Sequence, residues 1–398
     1  MAPEKEPLRM MHLITSLNVG GAQMDLYKAI VRFNPEKISS TVVSLVPAGK
    51  IGKLIENQGI PVLSLGMHPG RPNPVALLRL TGILKRFKPQ ILQTYLYHAD
   101  LLGYLAGKLA KVPLVLWNLK QSSMDFRRYR RASGLTVWLC ARLSRKVKKI
   151  LVNSLSGLKA HALLGYDAGR MVMAPNGFEM SHFRPNPATY REVREELGIP
   201  PGAPLVGMLA RFDPQKDHEN FLKAAGKITA ACREVHILMA GSGVRRDNPA
   251  FAELLKANPV LPERLFLLGE RSDMPRLLAS LDVFVSSSAF GEGMPTVVGE
   301  AMACGVPCVV TEVGDSALMV GETGLVVQPR APGELARAVE EALSWPPAER
   351  TRRSKAARAR IQENFDITKI AAQLESFYLD LAAQSAAQGM VGSCQLSI

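Results

Sequence analysis

Short apolar runs of strand length alternate with amphipathic stretches of helix length along almost the whole chain, and the series occurs twice. In the first series, strands are expected at 10–17, 41–46, 61–65, 91–93, 113–117, 149–152 and 170–174. Helices are expected between them at 24–33, 51–58, 75–87 and 99–110. Pro175-Asn176-Gly177 interrupts this series, and a Pro-rich connector follows to about Pro187. The second series has strands at 204–209, 235–240, 265–268, 283–286, 308–311 and 324–327. It closes on helices near 332–343, 348–364 and 367–382, with a disordered tail expected over 384–398. Strands that alternate with helices build parallel sheets with crossover helices on both faces. The expectation is an α/β protein of two Rossmann-like doubly wound domains, spanning 1–183 and 184–366. A chain of 398 residues is long enough for two separate cores. Ligands of such sheets bind beyond the carboxyl ends of the strands.

Bulk properties narrow the setting. No run of about 18 apolar residues occurs, so no membrane-spanning helix is expected. Met1 to Arg9 is charged and lacks the apolar core of a secretory leader. The five cysteines, at 140, 232, 304, 308 and 394, have neither zinc-site nor disulfide-framework spacing. The cytoplasm is the expected compartment. Charge is uneven: residues 1–196 hold 29 Lys and Arg against 12 Asp and Glu, a net of +17, and the remainder is −3. Much of the excess lies in 127–149, where Arg127-Arg128-Tyr129-Arg130-Arg131 and Arg145-Lys146-Val147-Lys148-Lys149 flank the apolar 135–141. An apolar body with basic flanks suits an anionic membrane surface, and equally a solvated helix packed on a core. No nucleic-acid-binding motif or aromatic platform accompanies the charge, so nucleic acid is not an expected partner.

The chemistry concentrates at 288–307. Pro295 is placed to open a helix and Cys304-Gly305 to close it. Glu300 then lies on the helix, roughly 7 Å beyond Pro295, and Glu292 in the loop before it. The two carboxylates are expected on the order of 10 Å apart, beyond the roughly 5–5.5 Å of a retaining glycosidase pair. They suit different hydroxyls of a polyhydroxylated ligand. Gly291 and Gly293 let backbone N–H groups approach a diphosphate at the helix N-terminus. The residues alone also fit a surface loop before an ordinary helix.

From Glu292 to Pro307 the sequence reads Glu, seven residues, Glu, then Ala-Met-Ala-Cys-Gly-Val-Pro. This resembles the signature of the family 4 glycosyltransferases, retaining enzymes of the GT-B fold. The resemblance implies two domains facing an interdomain cleft, and a last helix that crosses back to the N-terminal domain. It implies that Glu292 contacts donor-sugar hydroxyls and Glu300 the ribose, with Gly291, Gly293 and Met294 in the same donor-binding segment. Arg211 and Lys216, five apart, resemble the family's pair on the donor diphosphate. Fixed cations there stabilise the leaving group most as its charge develops. Asp217 follows Lys216 where the family often has Gly. Gly20-Gly21 resembles the family's N-terminal glycine loop, with Gln23 in place of the usual Glu. Gly241-Ser242-Gly243 resembles a family glycine turn near the donor, and the resemblance places Arg271 and Asp273 where the nucleobase is usually held. His98 follows a strand and is a candidate at the acceptor or sugar. The family often has His after the next strand, where Trp117-Asn118 stands here.

No Asp-x-Asp motif occurs, and Arg211 and Lys216 can neutralise the diphosphate. The expectation is a metal-independent retaining transferase that uses a UDP-sugar or GDP-sugar without a cofactor. Its expected acceptor is a glycan or lipid-linked glycan of the cell envelope, with the inner face of the plasma membrane as an expected site. A soluble small acceptor, a sugar-nucleotide 2-epimerase of the same fold and a non-catalytic nucleotide-binding protein are the rival readings.

Overall fold

The computed structural model describes residues 6–68, 73–120, 131–258 and 260–394, with backbone only at 131–133 and 388–394. It divides into two compact units: Met1–Gly177 with Ile367–Ile398, and Phe178–Asp366.

The first unit alternates β1 (Leu8–Ile14), α1 (Gly21–Ile30), β2 (Ile38–Ser44), α2 (Lys50–Glu56), β3 (Val62–Ser64), α3 (Pro74–Phe87) and β4 (Ile91–Tyr95). It continues through α4 (Tyr97–Leu109), β5 (Leu114–Leu119), α5 (Arg131–Leu143), β6 (Lys149–Val152), α6 (Leu155–Leu163) and β7 (Met171–Met173). The sheet order is β3-β2-β1-β4-β5-β6-β7, all parallel. The order reverses between β1 and β4. Central strands such as β4 and β5 are buried on both faces because helices cover both.

The second unit runs α7 (Pro187–Glu196), β8 (Leu205–Leu209), α8 (His218–Ala231), β9 (His236–Ala240), α9 (Pro249–Ala257), β10 (Leu265–Leu267) and α10 (Met274–Ala279). Then come β11 (Val283–Ser286), α11 (Thr296–Ala303), β12 (Cys308–Thr311), α12 (Ser316–Val320), β13 (Leu325–Val327), α13 (Pro332–Ser344) and α14 (Pro347–Asn364). Its order, β10-β9-β8-β11-β12-β13, reverses between β8 and β11. Two apolar clusters fill the two faces of this sheet, one around Phe178, Phe284 and Met302, the other around Phe221, Phe251 and Val285.

The chain then returns as α15 (Ile367–Cys394), which belongs to the first unit and buries Ala371, Tyr378 and Leu381 in its core.

Several expectations need correction. The unit division follows Gly177, whereas the sequence reading placed a boundary at 183. The connector ends at about Pro187 as expected, but the helix after it was not expected: Pro187 opens α7, with Asn186 Oδ1 accepting from the N–H groups of Ala188 and Thr189. The helix after β1 starts at Gly21 rather than at 24. The last helix does not stop at 382 but continues to Cys394, because Ala- and Gln-rich sequence favours helix without needing burial. Pro295 is the residue before α11, not its first turn: its ψ of 112° is extended, and the helix starts at Thr296. The stop at Cys304-Gly305 is as expected, with Gly305 at φ 72°.

Candidate functional site

In the second unit the residues of interest gather where the strand order reverses, at the carboxyl ends of β8 and β11. Lys216 ends a single 3-10 turn, 214–216, that follows β8, and Glu292 lies in the loop from β11 to α11. Adjacent strands bring these loops together, and hydrogen bonds join them. Ala289 N–H donates to Gln215 O at 2.9 Å, and Ser287 Oγ donates to Lys216 O at 2.9 Å.

Lys216 Nζ then reaches Glu292 Oε1 at 2.5 Å, and Ser288 Oγ donates to the same oxygen at 2.6 Å. Ser288 O in turn accepts from Thr311 Oγ1 at 2.6 Å. Glu292 is 6% exposed. A carboxylate this deep is tolerable because it holds a cation and a hydroxyl. Gly314 allows this packing. Its φ is +62°, and a Cβ there would lie 2.3 Å from Glu292 O.

Asp217, where the resemblance implies glycine, takes the left-handed conformation, φ 50° and ψ 59°, a region that favours glycine. Asp tolerates that region better than most residues, and its carboxylate accepts from Asn220 N–H at 3.2 Å, capping α8. The substitution therefore keeps the turn. Next to it, His218 is buried against Phe212 and Phe251, with Nε2 donating to Ala210 O at 3.3 Å. Nδ1 has no partner, and burial lowers the pKa to about 4.

Arg211 is exposed and held loosely, 3.3 Å from Asp213 Oδ2 and 3.3 Å from Gln215 Oε1. Glu300 sits half-buried on α11, one turn before Cys304. Its charge adds to burial in pushing the Cys304 thiol up to about 12. Gly299, beside it, packs on Phe178, where a Cβ would lie 2.2 Å from the ring. Gly291 has φ 77°, and Gly293 O accepts from Asp315 N–H at 2.9 Å. The Met294 side chain faces the core of this unit.

After β9, Gly241 is at φ 151°, and a Cβ there would come within 2.1 Å of Ala210 O. The turn that follows borders a pocket of about 510 Å³ lined by Arg245, Arg246, Asp247, Leu268, Gly269 and Glu270. Arg271 and Asp273 lie just beyond it. They form a two-pronged pair, Nε–Oδ1 2.8 Å and Nη2–Oδ2 2.7 Å. That hydrogen bonding holds the Asp273 carboxyl below its ordinary range. Arg276 and Glu196 join the same surface network.

In the first unit the matching reversal lies between β1 and β4. Gly20 and Gly21 follow β1 at the start of α1. Gly20, at φ −179°, is ordinary extended backbone, and a Cβ at Gly21 would meet nothing within 4 Å. The fold itself does not demand glycine at Gly21. His98 is exposed in the first turn of α4. The preceding Leu96 adopts φ 74°, ψ 144°, a region nearly reserved for glycine. That strained residue turns the chain directly from β4 into α4.

A buried polar group lies nearby. Lys120 Nζ pairs with Asp25 Oδ2 at 2.5 Å and donates to Asn176 Oδ1 at 3.2 Å. Asn118 is buried with Oδ1 unpartnered. His12 is fully buried and its pKa falls to about 3. Among the described residues, no group of three or more His, Cys, Asp or Glu is placed to hold a metal ion.

The family described as "Glycosyl transferase 4-like domain" matches residues 21–177, and that described as "Glycosyl transferases group 1" matches residues 203–344. The chain belongs to the family 4 glycosyltransferases. It is 28% identical over 262 residues to the UDP-Gal:alpha-D-GlcNAc-diphosphoundecaprenol alpha-1,3-galactosyltransferase of Escherichia coli, covering 62% of this chain and 64% of that protein, less than two thirds of its length. It is 28% identical to the lipopolysaccharide core biosynthesis mannosyltransferase LpsB of Rhizobium meliloti, covering 86% of this chain and 94% of that one. The crystal structure of Anabaena HepE with UDP-glucose superposes with a TM-score of 0.79 at 20% identity, over 93% of this chain and 99% of that one. This family 4 glycosyltransferase therefore has the GT-B fold, built of two Rossmann-like domains.

Sequence reasoning missed Ser288, Gly314, His218 and the Lys120–Asp25 pair. For Ser288 and His218 a signal existed, since each flanks a motif residue. Gly314 and the Asp25–Lys120 pair are far in sequence from what they touch, so nothing local marks them.

Proposed function

We propose that this chain transfers a sugar from a nucleoside diphosphate sugar to a glycan or lipid-linked acceptor, with retention at the anomeric carbon. The observation that carries the reading is the buried Lys216–Glu292 pair at the β8/β11 reversal, with exposed Arg211 on the same loop. Arg211 and Lys216 supply the positive charge a departing nucleoside diphosphate requires, so no divalent ion is assigned to that task. Glu292 contacts the donor sugar and Glu300 the ribose. Gly241 is assigned to the donor and Arg271 and Asp273 to the base; the pocket that ends at Glu270 is next to the latter two in sequence. Gly21, which the fold does not require, fits a loop selected for close backbone approach to a ligand. His98 is assigned to the acceptor side.

The relatives support the acceptor class. The E. coli enzyme's name specifies a diphosphoundecaprenol-linked acceptor, and the Rhizobium one acts in lipopolysaccharide core synthesis. HepE was crystallised with UDP-glucose, which favours a UDP-sugar donor. No helix among the described residues is long and apolar enough to cross a membrane, and the proposed location is the inner face of the plasma membrane, held peripherally.

A thermal-shift screen of UDP-, GDP- and ADP-sugars tests the donor. A bound donor at about 100-fold its Kd stabilises the protein by about 2.7 kcal/mol. One nucleotide family should raise the melting temperature of the wild type, and Arg211→Ala should lose that rise. No shift with any nucleotide sugar would refute the donor reading. EDTA should leave turnover unchanged.

A further inference from the structure

In the first unit, β4, β5 and β6 are neighbours and are joined in sequence by α4 and α5. Right-handed crossovers in one direction put both helices on the same face of the sheet. Their inner sides are buried: Tyr104 and Ala106 on α4, Val137 and Cys140 on α5. Their outer sides carry large apolar side chains in contact with solvent: Leu105 at 41% exposure, Leu109 at 54%, Leu135 at 58% and Trp138 at 51%. Leu105 and Leu109 are one turn apart, as are Leu135 and Trp138, so each helix presents an apolar stripe.

Cations frame these stripes. Lys108 and Lys111 flank Leu109, and Arg142 and Arg145 continue the Trp138 stripe. All four are exposed, and none of them forms an ion pair among the described residues. Arg142 lies over the Trp138 ring, 4.7 Å from its centroid. Between Asp100 and Asp167 the sequence has one acidic residue, Asp125, against 13 Lys and Arg. The face is therefore apolar at its centre and cationic at its margin, and the acid that α4 carries, Asp100, is fully buried.

We propose that the outer face of α4 and α5 docks on an anionic lipid bilayer. The charge decides among possible occupants. A second copy of the chain, packed by two-fold symmetry, would set this cationic margin against itself. A nucleic acid would satisfy the cations but give the four apolar side chains nothing to enter. A bilayer with anionic headgroups satisfies both, with Trp138 at headgroup depth and Arg142 stacked on it. This face consists of residues distinct from those assigned to donor and acceptor.

Flotation of the full chain tests this, using vesicles of phosphatidylcholine alone or with phosphatidylglycerol, in the absence of any nucleotide sugar. Its outcome is therefore independent of the transferase reading. The chain should partition at least about tenfold more strongly into the anionic vesicles, because each cation near the surface adds attraction. Raising the salt to about 1 M should abolish that difference by screening. Leu135→Ser with Trp138→Ser, and separately Lys108→Gln with Arg145→Gln, should each lower the partition severalfold while leaving the melting temperature unchanged. Equal partition into both vesicle types, insensitivity to salt, or no effect of either double variant would overturn the proposal. So would sedimentation showing a dimer that Trp138→Ser dissolves, which would assign the face to a second copy.

Discussion

Replacing Lys216 by methionine keeps the aliphatic stem and removes the charge. Glu292, 6% exposed, then keeps the Ser288 hydroxyl at 2.6 Å but no longer has the cation. Breaking a fully buried ion pair costs about 3–5 kcal/mol. The Lys216 side chain is 20% exposed and the Glu292 side chain 7%, so water screens part of the interaction and about 2–3 kcal/mol is expected. In a domain of this size that is about 4–12 °C of melting temperature. Adding Glu292→Gln to Lys216→Met removes the stranded charge while keeping an oxygen that accepts from Ser288. The double variant should therefore recover at least about 1 kcal/mol relative to the sum of the single losses. Calorimetry of wild type, both single variants and the double variant, without nucleotide, measures the coupling. A Lys216→Met protein melting within about 1 °C of wild type, or strictly additive losses, would show that the pair does not hold this loop and that Glu292 is stabilised by other means.

Two further outcomes are expected. His218 is neutral in the folded protein, with its pKa lowered from 6.5 to about 4 by burial. Its contribution is complete above pH 6.5 and is lost as the pH falls towards 4, by about 3 kcal/mol in total, since below 6.5 the unfolded chain takes up the proton first. Urea unfolding of the second unit at pH 7.5 and pH 4.5 should show this slope, and His218→Gln should reduce it; an unchanged slope contradicts the assignment. Gly314→Ala should cost well over about 2 kcal/mol, from left-handed backbone strain together with collision against Glu292 O, and should lower donor affinity. Gly59→Ala, where φ is 77° but nothing lies within 4 Å of the added Cβ, should cost only about 1 kcal/mol. Equal losses from the two would mean that the Gly314–Glu292 contact has no energetic weight.

How much was legible depended on the range of the interaction. The strands were readable because a parallel sheet covered on both faces needs continuous apolar runs, and 283–286, 308–311 and 149–152 were placed without error. The end of α11 was readable because Gly305 must supply a positive φ. Its start was missed by one residue, because Pro fits both the position before a helix and its first turn. The end of α15 was misplaced because Ala-rich sequence extends a helix without any core to mark where it stops.

By itself the sequence determined that two parallel sheets would form, and that Glu292, Glu300, Arg211 and Lys216 would lie in loops or helices after strands. Local periodicity and turn chemistry suffice for that. Only the tertiary structure decided that Lys216 and Glu292 touch, because β8 and β11 become neighbours only when the strand order reverses. Only it, likewise, brought Gly314 against Glu292, paired Lys120 with Asp25, and turned Leu135 and Trp138 outward while Val137 and Cys140 went to the core. These facts depend on which surfaces meet, and residues far apart in the chain acquire that relation only through packing.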